Sequence, residues 1–583
     1  LNMNFLCGNQ FAEITANGDV NDFGKQYFWQ SREVFNHIAP IIETRLAKLN
    51  RVKSKISVRP FSNDDSDINT SKLSTKILAS IMEENKLSDL LSLGNLWCEV
   101  TGSCFYKVIW DSEKGAKISA NGKSIKEGDV SIVVCPPYEI YPDNITTSDL
   151  EDCKSIIHAK AYSVEDIKDI WNIDVKGEAI NVFSLDNTQT TGGLGYSASV
   201  PNITSATRDN QAIVIEKYVL PSNDFPNGRL IIVAGEKLAY LGDLPYENGA
   251  NNTRTYPFAR QFAIENVGAF FGTSVIERVI PIQRAYNNIK NRKHEFLNRI
   301  AMGVLAVEDG SIDLDNIEEE GISPGKILVF RQGTMPPTML NMGDVPSDFN
   351  IEEQRLLEEF STISGVSEFM KMSKIPSNLT SGVALSIIAE QDDTRISTSA
   401  SQIRCAVKKI GQQVLRLCKQ FVQYSKLKRI TGDNGDIEMQ YFKASDLQCE
   451  DLVFDTENEL TDTPANRKNM VLELLKLGLL SDENGQVTSR TKLKVLEMLG
   501  FGNWENGRDL DEYHQKKAIR ENKFVLESKT IMVSDIDNHQ IHIDEHIKAL
   551  LDCDSNFKET QLNVLKTHIL QHKQQLRGDN YAG

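Results

Sequence analysis

Apolar and polar positions along this chain follow two periods, and the period switches several times. Residues 26–50 carry Phe35, Ile38, Ile42 and Leu46 on one helical face and predict a helix; Lys72 to Leu93 predicts a second. The pattern then turns to β. Cys104 to Trp110 and Val130 to Val134 flank a loop containing Asn121-Gly122, a strong hairpin signal. Further strands are predicted at 155–162, 211–220 and 229–234, with a turn at Pro226-Asn227-Gly228. Between them, residues 185–209 are rich in Gly, Ser, Thr and Asn and predict a mobile loop.

From Gly272 the helical period returns with Val275, Ile276, Val279, Ile282, Tyr286, Ile289, Phe296 and Ile300. Pro281 is expected to start or kink a helix within this stretch. Residues 302–349 break into short strands and turns, and helix resumes over 350–364. A loop from Met370 to Ser381 contains Pro376. The longest helical pattern follows, about 383–425, with Ile396, Ile403, Val407, Ile410, Val414, Leu417 and Phe421 on one stripe. Asp392 to Ser401 is rich in weak helix formers and predicts a kink or loosened turn. Residues 427–457 read as strands turning at Asp433-Asn434-Gly435, and from Pro464 onward the chain is mostly helical and polar. The fold class is α+β with much helix.

Composition narrows the function classes. The chain has 583 residues, a length for roughly four domains, and 40% hydrophobic residues, enough for several cores. Its net charge of −17 argues against a protein that grips nucleic acid over its whole surface. No apolar run reaches the ~20 residues of a spanning helix. Leu1-Asn2-Met3-Asn4-Phe5 lacks the basic-then-apolar pattern of an export signal, and because the chain opens on Leu1 a preceding segment is expected. The nine cysteines are scattered and never spaced C-x-x-C, which predicts free thiols in a reducing cytoplasm.

Charge is unevenly placed. Residues 273–301 are basic through Arg278, Arg284, Lys290, Arg292, Lys293 and Arg299, and 371–429 are basic again. The intervening 302–349 are acidic and include Glu318-Glu319-Glu320. In the second basic run, Arg404, Lys408, Arg416 and Lys419 fit the solvated outer face of a helix. Lys371 and Lys374 differ because they sit in an inter-helix loop, where light phosphate contact is feasible.

No enzyme is expected. Gly122-Lys123-Ser124 lacks the upstream glycine of a P-loop and falls in a predicted hairpin. The Gly192-Gly193-Leu194-Gly195 cluster lacks the following helix of a dinucleotide fingerprint. His539, His542 and His546 share a helical face, and His568 and His572 lie one turn apart. A metal site is conceivable on that spacing, but with no cysteine nearby the preferred reading is a polar helix–helix seam or exposed face, without metal or cofactor.

The order of these modules resembles that of tailed-bacteriophage portal proteins, the head–tail connectors. Phe5-Leu-Cys-Gly-Asn-Gln10 and Val134-Cys-Pro-Pro-Tyr-Glu-Ile-Tyr-Pro-Asp143 resemble portal segments. So does Gly272-Thr-Ser-Val-Ile-Glu-Arg-Val-Ile-Pro-Ile-Gln-Arg-Ala-Tyr-Asn-Asn288, at the start of a stem helix, and so does His539-Gln-Ile-His-Ile-Asp-Glu-His546 in the tail region. The resemblance implies a non-enzymatic subunit of a dodecameric ring at one capsid vertex of the virion, assembled in the bacterial cytoplasm. Double-stranded DNA would enter through the ring during packaging and leave at ejection. Partners implied are the terminase large subunit, a head-completion or tail adaptor protein, and the capsid and scaffold proteins, with no membrane. It also implies a wing from 1–272 and 383–457, a stem from 273–301 and 350–369, a clip at 302–349, a tunnel loop at 370–382 and a helical crown at 458–583. On that map Lys371 and Lys374 contact DNA, Glu318, Glu319 and Glu320 dock partners, and Ile403 and Val407 pack the ring. A cytoplasmic DNA-processing enzyme, such as a nuclease or packaging ATPase, and a helical scaffold or adaptor without DNA contact are the alternatives.

Overall fold

The computed structural model describes residues 1–16, 20–22, 24, 30–52, 56–62, 64–115, 117–120, 123–183, 205–249, 252–302, 304–312, 329–340, 346–366, 382–422, 426–431, 437–447, 449, 451–454, 473–474, 510–526, 531–551 and 559–579. They form two compact units, Leu1–Thr461 and Asp462–Gly583. The architecture is α+β, as the patterning predicts.

In the first unit the helices are α1 (Asn2–Cys7), α2 (Ile38–Leu49), α3 (Asp65–Glu84), α4 (Leu87–Thr101), α5 (Val164–Trp171), α6 (Val275–Met302), α7 (Asp348–Ser364) and α8 (Gly382–Phe421). The two largest sheets among the described residues are antiparallel. A three-stranded sheet runs Phe258–Phe262, Ser103–Asp111, Asp129–Cys135. A six-stranded sheet has the path Lys237–Gly242, Arg229–Ala234, Ser205–Val219, Ser155–Ser163, Ile140–Pro142, with Glu178–Phe183 also paired to Ser205–Val219.

Strand alternation explains how these layers stack. Successive side chains of Ser103–Asp111 point to opposite faces. Cys104, Tyr106 and Val108 join a core with Ile396, Ile403, Val407, Ile410, Val414 and Leu417 of α8. Phe105, one residue out of phase, joins a second core with Ile156, Val214, Tyr218 and Ile232 of the larger sheet. The small sheet therefore lies between the long helix and the large sheet. A third core gathers Phe5, Ile38, Ile42, Val275, Val279, Tyr286, Leu356 and Phe360 from α1, α2, α6 and α7.

Several boundaries differ from the sequence expectation. The helix expected over 26–50 begins at Ile38, because the alternate amides of Ser31, Glu33, Phe35 and His37 are taken by side chains of α6. The helix expected over Lys72 to Leu93 is two helices, split at Asn85-Lys86, where Lys86 adopts φ 50. Of the two roles expected for Pro281, starting or kinking a helix, the first does not hold, since it lies in the interior of α6, six residues after its start. The helix over 382–421 is continuous through Asp392 to Ser401, where a loosened turn was expected. Burial of Ile396 and Ala400, and the Ser399 hydroxyl donating to the Ala263 carbonyl at 2.9 Å, outweigh the weak local propensity. Of the predicted mobile loop at 185–209, Ser205–Asp209 are strand, and the rest lies outside the described residues.

The end of α4 shows a close backbone approach. Gly102 has φ 90, and a Cβ there would lie 2.2 Å from the Gly272 carbonyl oxygen. A side chain is excluded on both counts.

In the second unit, α9 (Leu510–Leu526), α10 (His539–Leu551) and α11 (Glu559–Asp579) pack pairwise around Val525, Ile543, Leu565 and Ile569. Among the described residues no helix is long and apolar enough to cross a membrane.

Candidate functional site

The region resembling a stem is an antiparallel pair, α6 against α7. Phe296 faces Phe349 with ring centroids 6.3 Å apart, and Tyr286 meets Phe360 edge-on at 6.0 Å. Between these aromatic contacts, Lys290 and Lys293 both pair with Glu353, the Lys293 contact at 3.0 Å. Burial alone would raise the Glu353 carboxyl; the two lysines override it and hold it below its ordinary value.

A second face of α6 holds the segment before α2. The amides of Ser31, Glu33, Phe35 and His37 donate to Glu295, Asn291, Asn287 and Gln283 at 2.9, 2.9, 3.1 and 3.0 Å. Alternate residues of an extended chain meet every fourth residue of a helix. The two steps nearly match, about 6.6 Å along the chain and about 6.0 Å along the helix. Gln283 and Asn291 also donate back to the carbonyls of Phe35 and Glu33 at 2.8 and 3.0 Å. Sequence reading passed over this device. Its signal was present as four acceptor side chains at i+4 spacing in an otherwise basic helix.

The basic character of α6 is partly consumed inside the chain. Arg284 donates to the Ala12 carbonyl at 3.0 Å and sits 5.3 Å from the Phe5 ring centre. Arg278 and Arg292 are exposed.

In α8, Ile403 and Val407 are each 1% exposed and pack within the core of their own protomer. Arg395 donates to the Thr362 carbonyl at 3.3 Å and Arg416 to the Asn248 carbonyl at 2.7 Å. Lys409 pairs with Glu151, and Lys408 with Asp451 at 4.0 Å. Lys426 and Lys428, at the end of the second basic run, point inward to Asp129 at 3.0 and 2.7 Å. Much of this run is therefore tied within the fold rather than free on a solvated face. An open groove lined by Arg59, Arg404, Lys408, Asp451 and Leu452–Phe454 retains cationic character. Lys371, Lys374, Glu318, Glu319 and Glu320 lie outside the described residues.

The helices on either side of residues 367–381 share one anchor. Arg45 of α2 forms a bidentate pair with Glu99 of α4, at 2.7 and 3.1 Å. The same guanidinium reaches the Ser364 carbonyl in α7 at 3.4 Å and the Ser399 hydroxyl in α8 at 3.5 Å.

Lys123-Ser124 lies on the hairpin strand Lys123–Lys126 paired with Lys117–Ala120, with no helix following. That context does not cradle a phosphate.

In the second unit the five histidines converge. His539, His542, His546, His568 and His572 are all buried, on facing sides of α10 and α11, beside Glu521 of α9. Glu521 Oε2 lies 3.0 Å from His542 Nδ1, 3.5 Å from His546 Nε2 and 3.7 Å from His568 Nε2. Burial alone would raise Glu521; the surrounding imidazoles hold it well below the usual carboxylate range. Burial, reinforced by the neighbouring imidazoles, pushes His572 down to about 3.

The described geometry is that of a protein organised around long, paired and anchored helices. Residues 229–468 match the family described as phage P22-like portal protein. Over those residues the chain is thus similar to tailed-phage portal proteins, a family that is structural rather than enzymatic. No curated protein matches the chain.

Proposed function

We propose that this chain is the subunit of a homo-oligomeric portal ring, dodecameric by family resemblance, at one capsid vertex of a tailed phage. The ring is the conduit for double-stranded DNA during packaging and ejection. It docks the terminase large subunit first and the tail adaptor afterwards. In this reading 1–272 and 383–457 are wing, 273–301 and 350–369 stem, 302–349 clip, 370–382 tunnel loop and 458–583 crown.

The observation that carries the proposal is the family match over 229–468, which spans the segments assigned to stem, clip, tunnel loop and long helix. The antiparallel α6–α7 pair supports the stem assignment. It puts the C-terminus of α6 and the N-terminus of α7 at one end of the pair and the anchored residues near Ser364 at the other. The net charge of −17 suits a conduit, because dense cationic lining would hold DNA rather than let it slide.

The test is the assembly state of the full chain, by light scattering and electron microscopy. A ring with a central opening that admits a duplex is expected. A chain that stays monomeric or forms closed, holeless assemblies, including when co-expressed with its scaffold and capsid proteins, would overturn the reading.

A further inference from the structure

We propose that the buried histidine nest of the second unit is a binding site for one divalent transition-metal ion of the zinc type, joining α9, α10 and α11.

One ligand atom each from Glu521, His542, His546 and His572 lies within 4.8 Å of the others. Around Glu521 Oε2 the separations to the imidazole nitrogens of His542, His546 and His568 are 3.0, 3.5 and 3.7 Å. Ligands about 2.1 Å from a tetrahedral ion sit about 3.4 Å from one another. His568 Nε2, 3.1 Å from His572 Nε2, stands close enough to exchange with it as the fourth ligand. The set is three imidazole nitrogens and one carboxylate oxygen, from three helices. That donor chemistry suits zinc and its first-row neighbours, and it is too nitrogen-rich for calcium or magnesium.

A ligating imidazole ordinarily donates its other N–H to a carboxylate or carbonyl, which orients the ring. His546 Nδ1 is 2.6 Å from Asn522 Oδ1, leaving Nε2 facing Glu521. His542 Nδ1 faces Glu521, and its Nε2 lies 3.8 Å from Asp537 Oδ1. Asp537 is itself held by Lys517 at 2.5 Å and by the Ser534 amide at 3.0 Å.

His542 Nε2, His546 Nε2 and His568 Nδ1 are buried with no hydrogen-bond partner. His542 and His546 are 0% exposed and His568 2% exposed. An unsatisfied buried polar atom is destabilising. A bare seam of imidazoles would thus be a poor substitute for apolar packing in a unit whose described buried apolar cluster is Val525, Ile543, Leu565 and Ile569. An ion ligated through His546 Nε2 satisfies one of these atoms and turns Glu521, His542, His546 and His572 into a cross-link, which small helical units use to supplement a thin core.

The experiment uses the full chain, stripped with a chelator and titrated with Co²⁺ as a spectroscopic probe, then with Zn²⁺. One equivalent of Co²⁺ per chain is expected, with visible d–d bands of low coordination number that vanish on adding one equivalent of Zn²⁺. Glu521→Gln and His546→Gln should each weaken Co²⁺ binding at least tenfold, while His294→Gln, in α6 and outside the nest, should leave it unchanged. Circular dichroism of the stripped proteins separates lost binding from lost fold. Should both nest variants misfold, Asp537→Asn takes their place, with a weakened Co²⁺ affinity expected. A correctly folded wild-type chain that takes up no stoichiometric Co²⁺ or Zn²⁺ would overturn the proposal. So would uptake that is identical in wild type and folded nest variants.

Discussion

At the residue scale, the buried charges between the two sheets are the most consequential. Lys107 Nζ lies 2.5 Å from Glu216 Oε2, and Tyr218 donates to the same oxygen at 2.5 Å. His158 sits between Glu139 at 3.3 Å and Glu216 at 3.6 Å. Burial by itself would lower His158, but Cys135, Glu139 and Glu216 around it raise it to about 10. Burial by itself would raise Glu216, but Lys107 and His158 hold it well below the usual carboxylate range. The signs then follow by linkage. The His158 contribution is complete below its unfolded value of about 6.5 and is lost as pH rises through about 10. The Glu216 contribution is present above about 4.5 and is lost as pH falls through its depressed folded value. Thermal midpoints of the wild type should therefore decline from pH 6.5 towards pH 10. Glu216→Gln, which leaves Lys107 and His158 without their shared carboxylate, should cost about 3–5 kcal/mol and flatten that decline. Equal midpoints for variant and wild type across this range would show that the network contributes nothing.

At the element scale, the segment before α2 depends on side chains of α6 rather than on a sheet. Asn287 accepts from the Phe35 amide and donates to Gln10 at 2.7 Å. Asn287→Leu should leave α6 helical but free the neighbouring strip, so that the amides of Phe35 and Glu33 exchange at least tenfold faster while those of α6 keep their protection. This device also shows where sequence reading ran out. The apolar stripe of Phe35, Ile38, Ile42 and Leu46 is real, but periodicity cannot tell a helical residue from an extended one that happens to land in phase. Conversely, Asp392 to Ser401 has poor helix propensity and is helical, because Ile396 and Ala400 are buried on their helix face. The hairpins were legible because turn residues and alternation agree locally; the small-sheet register pairs Phe105 with Cys135 and Trp110 with Val130. Of the site, the histidine spacing was visible, but the Glu521 that joins it comes from a separate helix and could not be inferred from spacing.

At the scale of the whole molecule, the placement of Ile403 and Val407 changes what their substitution tests. Both are buried in the protomer, so Ile403→Asp or Val407→Asp should abolish rings by unfolding the subunit, since a buried unpaired charge costs several kcal/mol. Soluble, folded and cooperatively melting protomers that fail to assemble would instead place these residues at a subunit contact. For the proposed conduit, Lys371→Ala with Lys374→Ala should leave rings intact and reduce packaged length or DNA retention, because each removes a phosphate contact. Normal packaging of full-length DNA by the double variant would take the lysines out of the mechanism. Replacing Glu318, Glu319 and Glu320 with Ser should weaken terminase or adaptor binding most at low salt, where charge steering is strongest. Affinity that is the same at every salt concentration would remove this acidic run from docking.

The row of acceptors on α6 works as a vernier. Its two scales differ by about 0.6 Å per mark, so an alignment that is true in the middle drifts by almost 1 Å at either end. The side-chain lengths follow that drift. The short Asn287 and Asn291 occupy the centre, and the longer Gln283 and Glu295 occupy the ends, where more reach is needed. One mark further on, Val279 and Arg299 offer no acceptor. The reading length of the scale is thus written into both the geometry and the residue types, and an inserted or deleted residue between Ser31 and His37 would spoil every alignment on one side of it.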